Sequence, residues 1–444
     1  MNKRLISLMA AALALLSASG QVSIIGEGKY PAIKVEPAKS TGLNMIYVVY
    51  DTDGVGMTYP SASGERAVWY RFDSRGAAYR EPIQNVRWDG FGTTLEQVIP
   101  NSGYVIEEGG VDVCYFWVVN YADYYLSLNS ISFNDEACDL ITFNVDGTGA
   151  KIPYATITGH SEVLDREIKL SYNNIVWDDS THWQEEPVIE TFESLDDGVV
   201  IDPPMSNTEF TLSGDRFLEE WGLGQAVTSD YLNTRAVDCY TTAIQKLSDG
   251  KDESVGSGPA YVSAPARIVF TGYPSDAVVY RLWEMATDEE FVNVIMQYNQ
   301  DEVDYTFMDV GTYYLRYKVA NAAGNCEDYS DQVYAITVSE SSLGDEGGRL
   351  PNVISLGNTA WKVPHKSLIE FHCWVFNRWG NLVYEFTDPE IAWDGKVNGK
   401  YIDTGVYYCV VTATGSDGVK YKKRGDITVI RYTKGAEGTS GAGM

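Results

Sequence analysis

The residues able to carry out chemistry are scattered along this chain without the spacing of a familiar active site. The four histidines form no HExxH pair and no other metal-ligand spacing; they are His160, His182, His365 and His372. The sequence also lacks the G-x-S-x-G, C-x-x-C, Walker and Rossmann patterns. Adjacent carboxylates are expected by chance among 62 acidic residues. We therefore predict that the protein is not an enzyme and holds no cofactor or metal; a glycosidase or protease is the least favoured hypothesis.

One acidic turn has the beginning of a calcium-binding loop. Residues 51–54 read DTDG, which matches the first positions of the EF-hand pattern, but the later ligands of that pattern are missing. A polar hairpin turn explains the same residues, because Asp and Gly are both common in turns. We expect the turn.

Composition and charge narrow the function classes further. The chain has 444 residues, with 62 Asp and Glu against 33 Lys and Arg, and a formal net charge of −29. Such a charge repels phosphates, so we expect no binding to nucleic acid or to anionic membranes. The apolar residues make up 44% of the chain, an ordinary value for a globular protein.

The first twenty residues have the pattern of a secretory signal peptide. Residues 1–20 (MNKRLISLMAAALALLSASG) combine a basic start, a short apolar core and small residues before Gln21, where we expect cleavage. No later stretch is apolar enough to predict a transmembrane helix. The pattern predicts an exported protein.

Export makes the cysteines relevant, because an oxidising compartment permits disulfides. The six cysteines allow many pairings, among which the sequence cannot choose. Cys373 and Cys409 lie in apolar strands of one domain, and they are either a bonded pair or two free, buried thiols.

Short apolar and aromatic runs, separated by turn signals, predict an all-β fold of tandem immunoglobulin-like β-sandwich domains. The run 45–50 (MIYVVY) is one such strand, and 111–120 (VDVCYFWVVN) is apolar on both faces and suits the middle of a sandwich. The best helix candidates are the short segments 217–223 and 288–298.

Polar, glycine-rich segments predict exposed connections between domains. The two clearest are residues 248–259 and 339–350, and a less distinct boundary falls near residue 134. The predicted organisation is a signal peptide (1–20), two sandwiches (21–134 and 135–247), a linker (248–259), a third domain (260–338), a linker (339–350), a C-terminal domain (351–432) and a flexible tail (433–444).

A D-x-G-x-Y pattern occurs twice, each time at the start of a long strand. It covers residues 309–313 and 403–407. The pattern predicts a tyrosine corner, in which the Tyr hydroxyl bonds back to the backbone of the corner. With its downstream residues, the first copy resembles the last two strands of bacterial PKD or immunoglobulin-like modules. That resemblance implies a spacer or binding platform and names no activity.

The C-terminal 80 residues or so carry the most specific pattern of the chain. It runs in the order FNRWG, VYE, WDG, GK, GVYY, G and VIR. We expect a small sandwich that ends in an edge hairpin over residues 420–431. The residues singled out for sorting or docking are Asn377, Arg378, Trp379, Gly380, Trp393, Asp394, Gly395, Lys422, Lys423, Arg424 and Arg431.

This pattern resembles the gliding-motility-associated C-terminal domain, which is the type B sorting domain of the type IX secretion system of Bacteroidota. The resemblance implies passage through the outer membrane by the type IX translocon, and a SprF/PorP-type outer-membrane protein as a partner. Relatives usually open the domain with an acidic turn, which is missing here after residue 353.

The charge distribution separates this domain from the rest. Residues 351–432 carry ten basic and eight acidic residues, whereas residues 21–350 carry 20 and 53. The basic residues of the last strand are able to dock on an acidic partner, although lysines also protect exposed sheet edges. Our first hypothesis is a non-enzymatic interaction or accessory subunit at the outer membrane or cell surface. The alternative is a surface carbohydrate-binding protein or adhesin.

Overall fold

The computed structural model describes residues 22–26, 28–134, 137–247, 250–256 and 258–431. The predicted signal peptide (1–20) and tail (433–444) lie outside these residues. Strands dominate the described residues, which confirms the all-β class. The described residues divide into two compact units: the first comprises those up to residue 175 and residues 185–234, and the second comprises residues 176–184 and those from residue 235 onward.

Two β-sheets form the first sandwich of the first unit, with orders β1-β4-β8-β7 and β2-β3-β10-β9-β5-β6. The central strand β10 lies between β3 and β9, as its apolar sequence predicted, and buries Phe116 and Val118 between the sheets. The strands are β1 (Ser23–Ile25), β2 (Ile33–Val35), β3 (Met45–Val49), β4 (Gly56–Pro60), β5 (Val68–Phe72), β6 (Glu81–Pro82), β7 (Val86–Trp88), β8 (Gly92–Leu95), β9 (Ser102–Glu108) and β10 (Val111–Asn120).

The acidic sequence at residues 51–54 forms a turn. Asp51 Oδ1 accepts a hydrogen bond from the backbone N–H of Asp53 at 3.2 Å, and Gly54 has a φ of +71°. These are the contacts of a polar hairpin turn, as expected.

The second sandwich of this unit shares an apolar core with the first. The pairing of β11 with β12 joins residues on both sides of the predicted boundary at residue 134. Helix α1 (Arg216–Glu220) confirms the helix predicted near residue 217, although it ends earlier. The strands are β11 (Ser127–Asn134), β12 (Ile141–Thr148), β13 (Ile152–Ala155), β14 (Ser161–Leu164), β15 (Ile168–Asp178), β16 (His182–Phe192), β17 (Val199–Ile201), β18 (Thr211–Gly214) and β19 (Gln225–Thr228). The core shared by the two sandwiches includes Ile46 and Val119 of the first and Leu170 and Phe217 of the second.

A fully buried ion pair lies in this shared core. Arg166 and Asp215 are both inaccessible to solvent, and Arg166 Nε donates to Asp215 Oδ2 at 2.7 Å. The hydroxyl of Tyr121, which follows β10, lies 3.0 Å from the same carboxylate oxygen, and Arg166 Nη1 donates to the carbonyl of Ala150. Asp215 also caps α1 by accepting from the N–H of Leu218. These bonds compensate for burying two charges.

We predict that Arg166→Met destabilises the first unit by about 3 to 5 kcal/mol, because Asp215 would remain buried without its counter-ion. The measurement is the free energy of unfolding from chemical denaturation. Arg75→Met is the matched control, since the Arg75–Asp73 pair is more than half exposed, and it should cost less than about 1 kcal/mol. Equal losses in the two variants would contradict the prediction.

In the second unit, the third domain is a sandwich of sheets β21-β20-β23-β26 and β22-β29-β27-β24-β25, with β28 paired to β27. Residues 176–184 also belong to this unit, where Trp177 stacks on Tyr240 with ring centroids 4.5 Å apart. The strands are β20 (Cys239–Lys246), β21 (Glu253–Ser254), β22 (Ala260–Val262), β23 (Ala266–Pro274), β24 (Val278–Ala286), β25 (Val294–Tyr298), β26 (Glu302–Phe307), β27 (Gly311–Asn321), β28 (Glu327–Tyr329) and β29 (Tyr334–Val338).

The helix predicted at residues 288–298 is wrong. Asp288 accepts hydrogen bonds from the N–H groups of Val292 and Asn293, which makes a turn, and β25 then pairs with β24. Local capping chemistry and strand pairing therefore override the weak helical pattern.

The C-terminal domain is built on a five-stranded sheet with the order β31-β38-β37-β33-β34. One face of this sheet packs on a core that includes Trp361, Val363 and Trp393. The strands are β30 (Ser342–Leu343), β31 (Val353–Leu356), β32 (His365–Lys366), β33 (Leu368–Phe376), β34 (Leu382–Phe386), β35 (Lys396–Val397), β36 (Lys400–Tyr401), β37 (Gly405–Gly415) and β38 (Lys420–Arg431).

Residues 420–431 do not form a hairpin by themselves, which corrects the expectation from sequence. They form the single strand β38, which pairs with β37 along Lys420–Val429. Only residues 428–431 also pair with β31. The basic half of β38 therefore lacks a ladder partner on one side among the described strands.

The predicted linker at residues 339–350, here called the connecting segment, is ordered. Its strand β30 pairs with β32, and Leu343 is 2% exposed, so the expectation of an exposed connection is wrong for this part. Ser339 donates to the carbonyl of Val262, and the N–H of Ala264 donates to Ser367 Oγ at 3.2 Å. These bonds join the third domain directly to the C-terminal domain.

Cys373 and Cys409 are buried, free thiols; among the described residues Cys239 is also free and buried, and Cys114 is free and partly exposed. They lie on the adjacent strands β33 and β37, where Cys409 faces Val375 and Cys373 faces Val411. Burial raises the pKa of the Cys409 thiol to about 11. Of the two alternatives left by the sequence, the structure contains the free pair.

Both predicted tyrosine corners are present. Tyr313 donates to the carbonyl of Asp309 at 3.1 Å, and Tyr407 donates to the carbonyl of Asp403 at 3.0 Å. Each bond fixes the entry of a long central strand, β27 or β37.

We expect Tyr407→Phe to lower the stability of the C-terminal domain by about 1 kcal/mol, because one hydrogen bond is lost without other changes in packing. Hydrogen exchange of the β37 amides in the full chain measures this loss. Tyr408→Phe is the control, since Tyr408 is 50% exposed and lies on the opposite face. Unchanged exchange in Tyr407→Phe would argue against the corner as a stabilising contact.

Candidate functional site

The five-stranded sheet of the C-terminal domain exposes the face opposite its core, here called the outer face. Side chains alternate between the faces of a strand. Cys373 and Val375 point into the core, so His372, Trp374 and Phe376 of β33 point outward. The register of the neighbouring strands extends this outward set into rows across the sheet.

One end of the outer face is apolar and aromatic. A row of facing residues runs from Leu382 through Phe376 and Tyr408 to Asp426. The next row joins Glu385, Trp374, Val410 and Arg424, so charged residues border the aromatic side chains. Leu382 and Tyr408 are about half exposed, at 51% and 50%. Apolar side chains of this size on a solvent-facing sheet form the kind of patch that partners cover.

The other end of the outer face is basic. Lys420, Lys422 and Arg424 alternate along β38 and are all exposed, so their side chains leave the same face about 7 Å apart. They face Thr414, Thr412 and Val410 on β37. The outer face therefore combines a cationic stripe with an aromatic end.

A shallow groove of about 530 Å³ crosses this basic end and is lined by Glu370, His372, Thr412, Lys420 and Lys422 among others. The ring of His372 stacks on Trp374 with centroids 3.7 Å apart, and its Nε2 lies 3.4 Å from Glu385. The stacking holds both rings against the sheet.

The structure divides the residues singled out from sequence into exposed and structural groups. Arg378 and Trp379 are exposed in the turn between β33 and β34, with the guanidinium 4.2 Å from the indole centroid. Lys422 and Arg424 lie on the outer face, and Arg431 is exposed at the end of β38. The turn and the basic stripe are separated by β37, so they are not one cluster.

Two motif residues of the turn after β33 shape the backbone. Asn377 Oδ1 accepts hydrogen bonds from the N–H groups of Trp379 and Asn381, each at 3.0 Å. Gly380 has a φ of +79°, which favours glycine. Asn377 and Gly380 therefore present Arg378 and Trp379 to solvent.

The WDG motif belongs to the core side of the domain. Trp393 is 2% exposed and pairs by its backbone with Trp361, and Asp394 accepts hydrogen bonds from Lys396. Gly395 has a φ of +80°, which favours glycine, and a Cβ there would displace the end of the Leu356 side chain. These residues support the fold rather than offer a docking surface.

Lys423 also differs from its neighbours, because it points to the covered face. Its Nζ donates to the carbonyl of Leu343 at 2.6 Å and to the carbonyl of Gly348. Asp417 accepts from the N–H and the hydroxyl of Ser341, and Tyr421 donates to the Ser341 carbonyl. Lys423, Asp417 and Tyr421 thus hold the connecting segment, and Lys423 is not available to a partner.

Sequence reasoning missed Trp374, Tyr408 and His372 as members of the exposed surface. The alternation of β33 carries the necessary signal, since Phe371, Cys373 and Val375 form one apolar face. The Trp374 ring is apolar too, so composition alone does not show which set points outward. The register with β37 decides it.

Comparison with known protein families agrees with this geometry. Residues 349–429 match the family described as the CHU_C Type IX secretion signal domain. The C-terminal domain is a type IX secretion signal domain. It marks the chain for type IX export to the outer membrane, the cell surface or the extracellular space, as the sequence predicted. Residues 130–229 match the fibronectin type III domain family, so an upstream sandwich is of that kind.

Solved structures are similar to this chain only weakly. The fibronectin(III)-like modules of Clostridium thermocellum CbhA are 14% identical over 40% of this chain and 91% of theirs, with a TM-score of 0.18. The FN1–FN3 domains of chicken CNTN1 are 12% identical over 68% of this chain and 97% of theirs, with a TM-score of 0.22. No curated protein matches the chain. These values indicate nothing about activity.

Within the described residues, no helix is long and apolar enough to cross a membrane. The same residues contain no group of three or more His, Cys, Asp or Glu side chains placed to hold a metal ion. The absence of enzymatic activity stays a prediction.

We predict that Lys423→Met loosens the connecting segment. The two carbonyls at Leu343 and Gly348 lose their common donor, so hydrogen exchange and protease cleavage within residues 343–348 should increase several-fold. Lys422→Met is the matched control, one residue away on the outer face, and should leave the segment protected. The same protection in both variants would contradict the role of Lys423.

Proposed function

We propose that the signal domain docks through its outer face on a SprF/PorP-type outer-membrane protein, and that the protein acts there as a non-enzymatic interaction or accessory subunit. The observation that carries the proposal is the outer face itself, where an aromatic end and a basic stripe share one open sheet surface. The type IX assignment supplies the location, and the partner and the role go beyond it.

The aromatic end supports a protein partner. Trp, Tyr and Arg are the side chains most enriched where interfaces concentrate their binding energy. Trp374 and Tyr408 lie on a rigid sheet, and their neighbours hold them in place, so little conformational entropy is lost on binding. The exposed Trp379, at 70%, offers a second anchor in the neighbouring turn.

The basic stripe supports an acidic partner surface. The residues before the signal domain carry a large negative charge, which repels an acidic surface at long range. A local cationic stripe on the signal domain therefore favours approach by this domain over approach by the rest of the chain. Its use as edge protection for β38 remains the alternative explanation.

One carboxylate with a strongly shifted pKa, that of Glu108, has a structural role. Glu108 has a pKa lowered to about 2: burial alone would raise it, but donors from Ser61, Ser63 and Tyr59 outweigh that effect. The Glu108 carboxylate fixes the loop after β4 through these bonds. Glu108 is therefore committed to the fold and is not a candidate catalytic acid.

Reversing the charge of the stripe tests the proposal. The double variant Lys422→Glu and Arg424→Glu, made in the full chain, should reduce recovery of the SprF/PorP-type protein from outer membranes by at least about tenfold, because two attractive contacts become repulsive. Mass spectrometry of the affinity-purified fraction identifies and quantifies the partner.

Lys400→Glu is the matched control, because Lys400 is exposed on β36, outside the five-stranded sheet. It changes the same kind of charge and should leave recovery intact. Recovery that is equal in the double variant and the control, or that never includes a SprF/PorP-type protein, would overturn the docking proposal.

A further inference from the structure

A second surface feature lies in the third domain, on a different sheet from the outer face. It is a groove of about 520 Å³ over strands β24, β27 and β28, lined by Tyr280, Leu282, Lys318, Ala320 and Glu327 among others. Small-molecule sites commonly have volumes in this range, with apolar walls and a few polar groups.

A β-bulge turns Tyr280 into this groove. Val278 faces Asn321, whereas Tyr280 faces Ala320, so Val279 is an extra residue in β24. Val278 is buried and Tyr280 is 59% exposed. In a regular strand, residues 278 and 280 would share a face, so the bulge is what moves the tyrosine ring from the core to the solvent side.

The residue at the floor of the groove, Ala320, has a small side chain. Ala320 lies between Tyr280 on β24 and Glu327 on β28, and it is only 7% exposed although it shares their face. A larger side chain at this position would fill the space between the tyrosine ring and the opposite wall. The turn at Gly324, with a φ of +67°, lines the groove near the end of β27.

The wall opposite Tyr280 offers paired polar groups. Lys318 Nζ and Glu327 Oε2 are 2.8 Å apart, and Lys318 Nζ also lies 5.4 Å from the ring centre of Tyr329. The hydrogen bond that Lys318 donates to the Glu327 carboxylate is the main reason why the pKa of Lys318 is raised. An ammonium donor beside a carboxylate acceptor matches two neighbouring hydroxyl groups of one ligand.

We propose that this groove binds a neutral saccharide, with a pyranose ring packed on Tyr280 over Ala320 and its hydroxyls bonded to Lys318 and Glu327. An exposed tyrosine ring beside a small floor residue accepts the flat apolar face of a sugar ring. The site is independent of the outer face of the signal domain and does not depend on docking.

The charges favour a neutral ligand over an anionic one. Two cations line the groove, and each already has a carboxylate partner: Lys318 pairs with Glu327 at 2.8 Å and Arg281 with Asp301 at 2.7 Å. A carboxylate or sulfate group would have to displace one of these partners, and the acidic charge of the residues before the signal domain repels it at long range. The Lys318–Glu327 pair is locally balanced, so a hydroxylated neutral ligand carries no such cost.

The test measures binding of cellobiose, maltose, lactose and chitobiose to the full chain by saturation-transfer NMR and titration. At least one disaccharide should bind with millimolar affinity, as expected for a shallow groove. Tyr280→Ala should weaken that binding by about tenfold or more, since the stacking surface is lost. Ala320→Leu should abolish it by filling the floor.

Tyr261→Ala is the matched control, because Tyr261 is an exposed tyrosine, at 77%, on a different strand of the same sheet. It should leave binding unchanged, and circular dichroism checks the fold of each variant. Failure of all four disaccharides to bind at tens of millimolar overturns the proposal. Binding that survives in Tyr280→Ala also overturns it, because Tyr280 is exposed and its loss should not affect folding.

Discussion

The signal domain depends on one constraint: a five-stranded sheet has two faces, and its core covers only one of them. Strand alternation commits every second residue of β33, β37 and β38 to solvent, whatever its chemistry. The apolar core fixes the register, since a shift by one residue would exchange Cys373 and Val375 for Trp374 and Phe376. Packing on the covered face therefore determines which residues lie on the outer face and how they are arranged there.

The fold class and the type of the C-terminal domain could be predicted from sequence because they depend on local patterns. The two tyrosine corners act over a few residues, and their hydrogen bonds are where the D-x-G-x-Y pattern placed them. The helix predicted at residues 288–298 was wrong because Asp288 caps a turn there and residues 294–298 then pair with the preceding strand β24.

The two candidate surfaces were harder to predict, because both depend on the register between strands. Lys422, Lys423 and Arg424 look alike in sequence, yet Lys423 points inward and bonds to backbone carbonyls. Tyr280 was not singled out, since only the bulge against β27 shows that its ring faces solvent. A bulge adds one residue and leaves no clear composition signal. Side-chain direction, more than residue type, separates structural from exposed positions here.

The bonds between the third domain and the signal domain have a geometric consequence. Ala264 and Ser367 hydrogen-bond across the domain boundary, and the connecting segment is pinned on both sides. A freely jointed tether would let the third domain sample many directions around an anchored signal domain. The short, hydrogen-bonded connection instead restricts the directions that the third domain can take. Attachment of the signal domain through its outer face would therefore also fix the direction in which the Tyr280 groove faces. The protein would then present a ligand at a defined orientation relative to its anchoring surface.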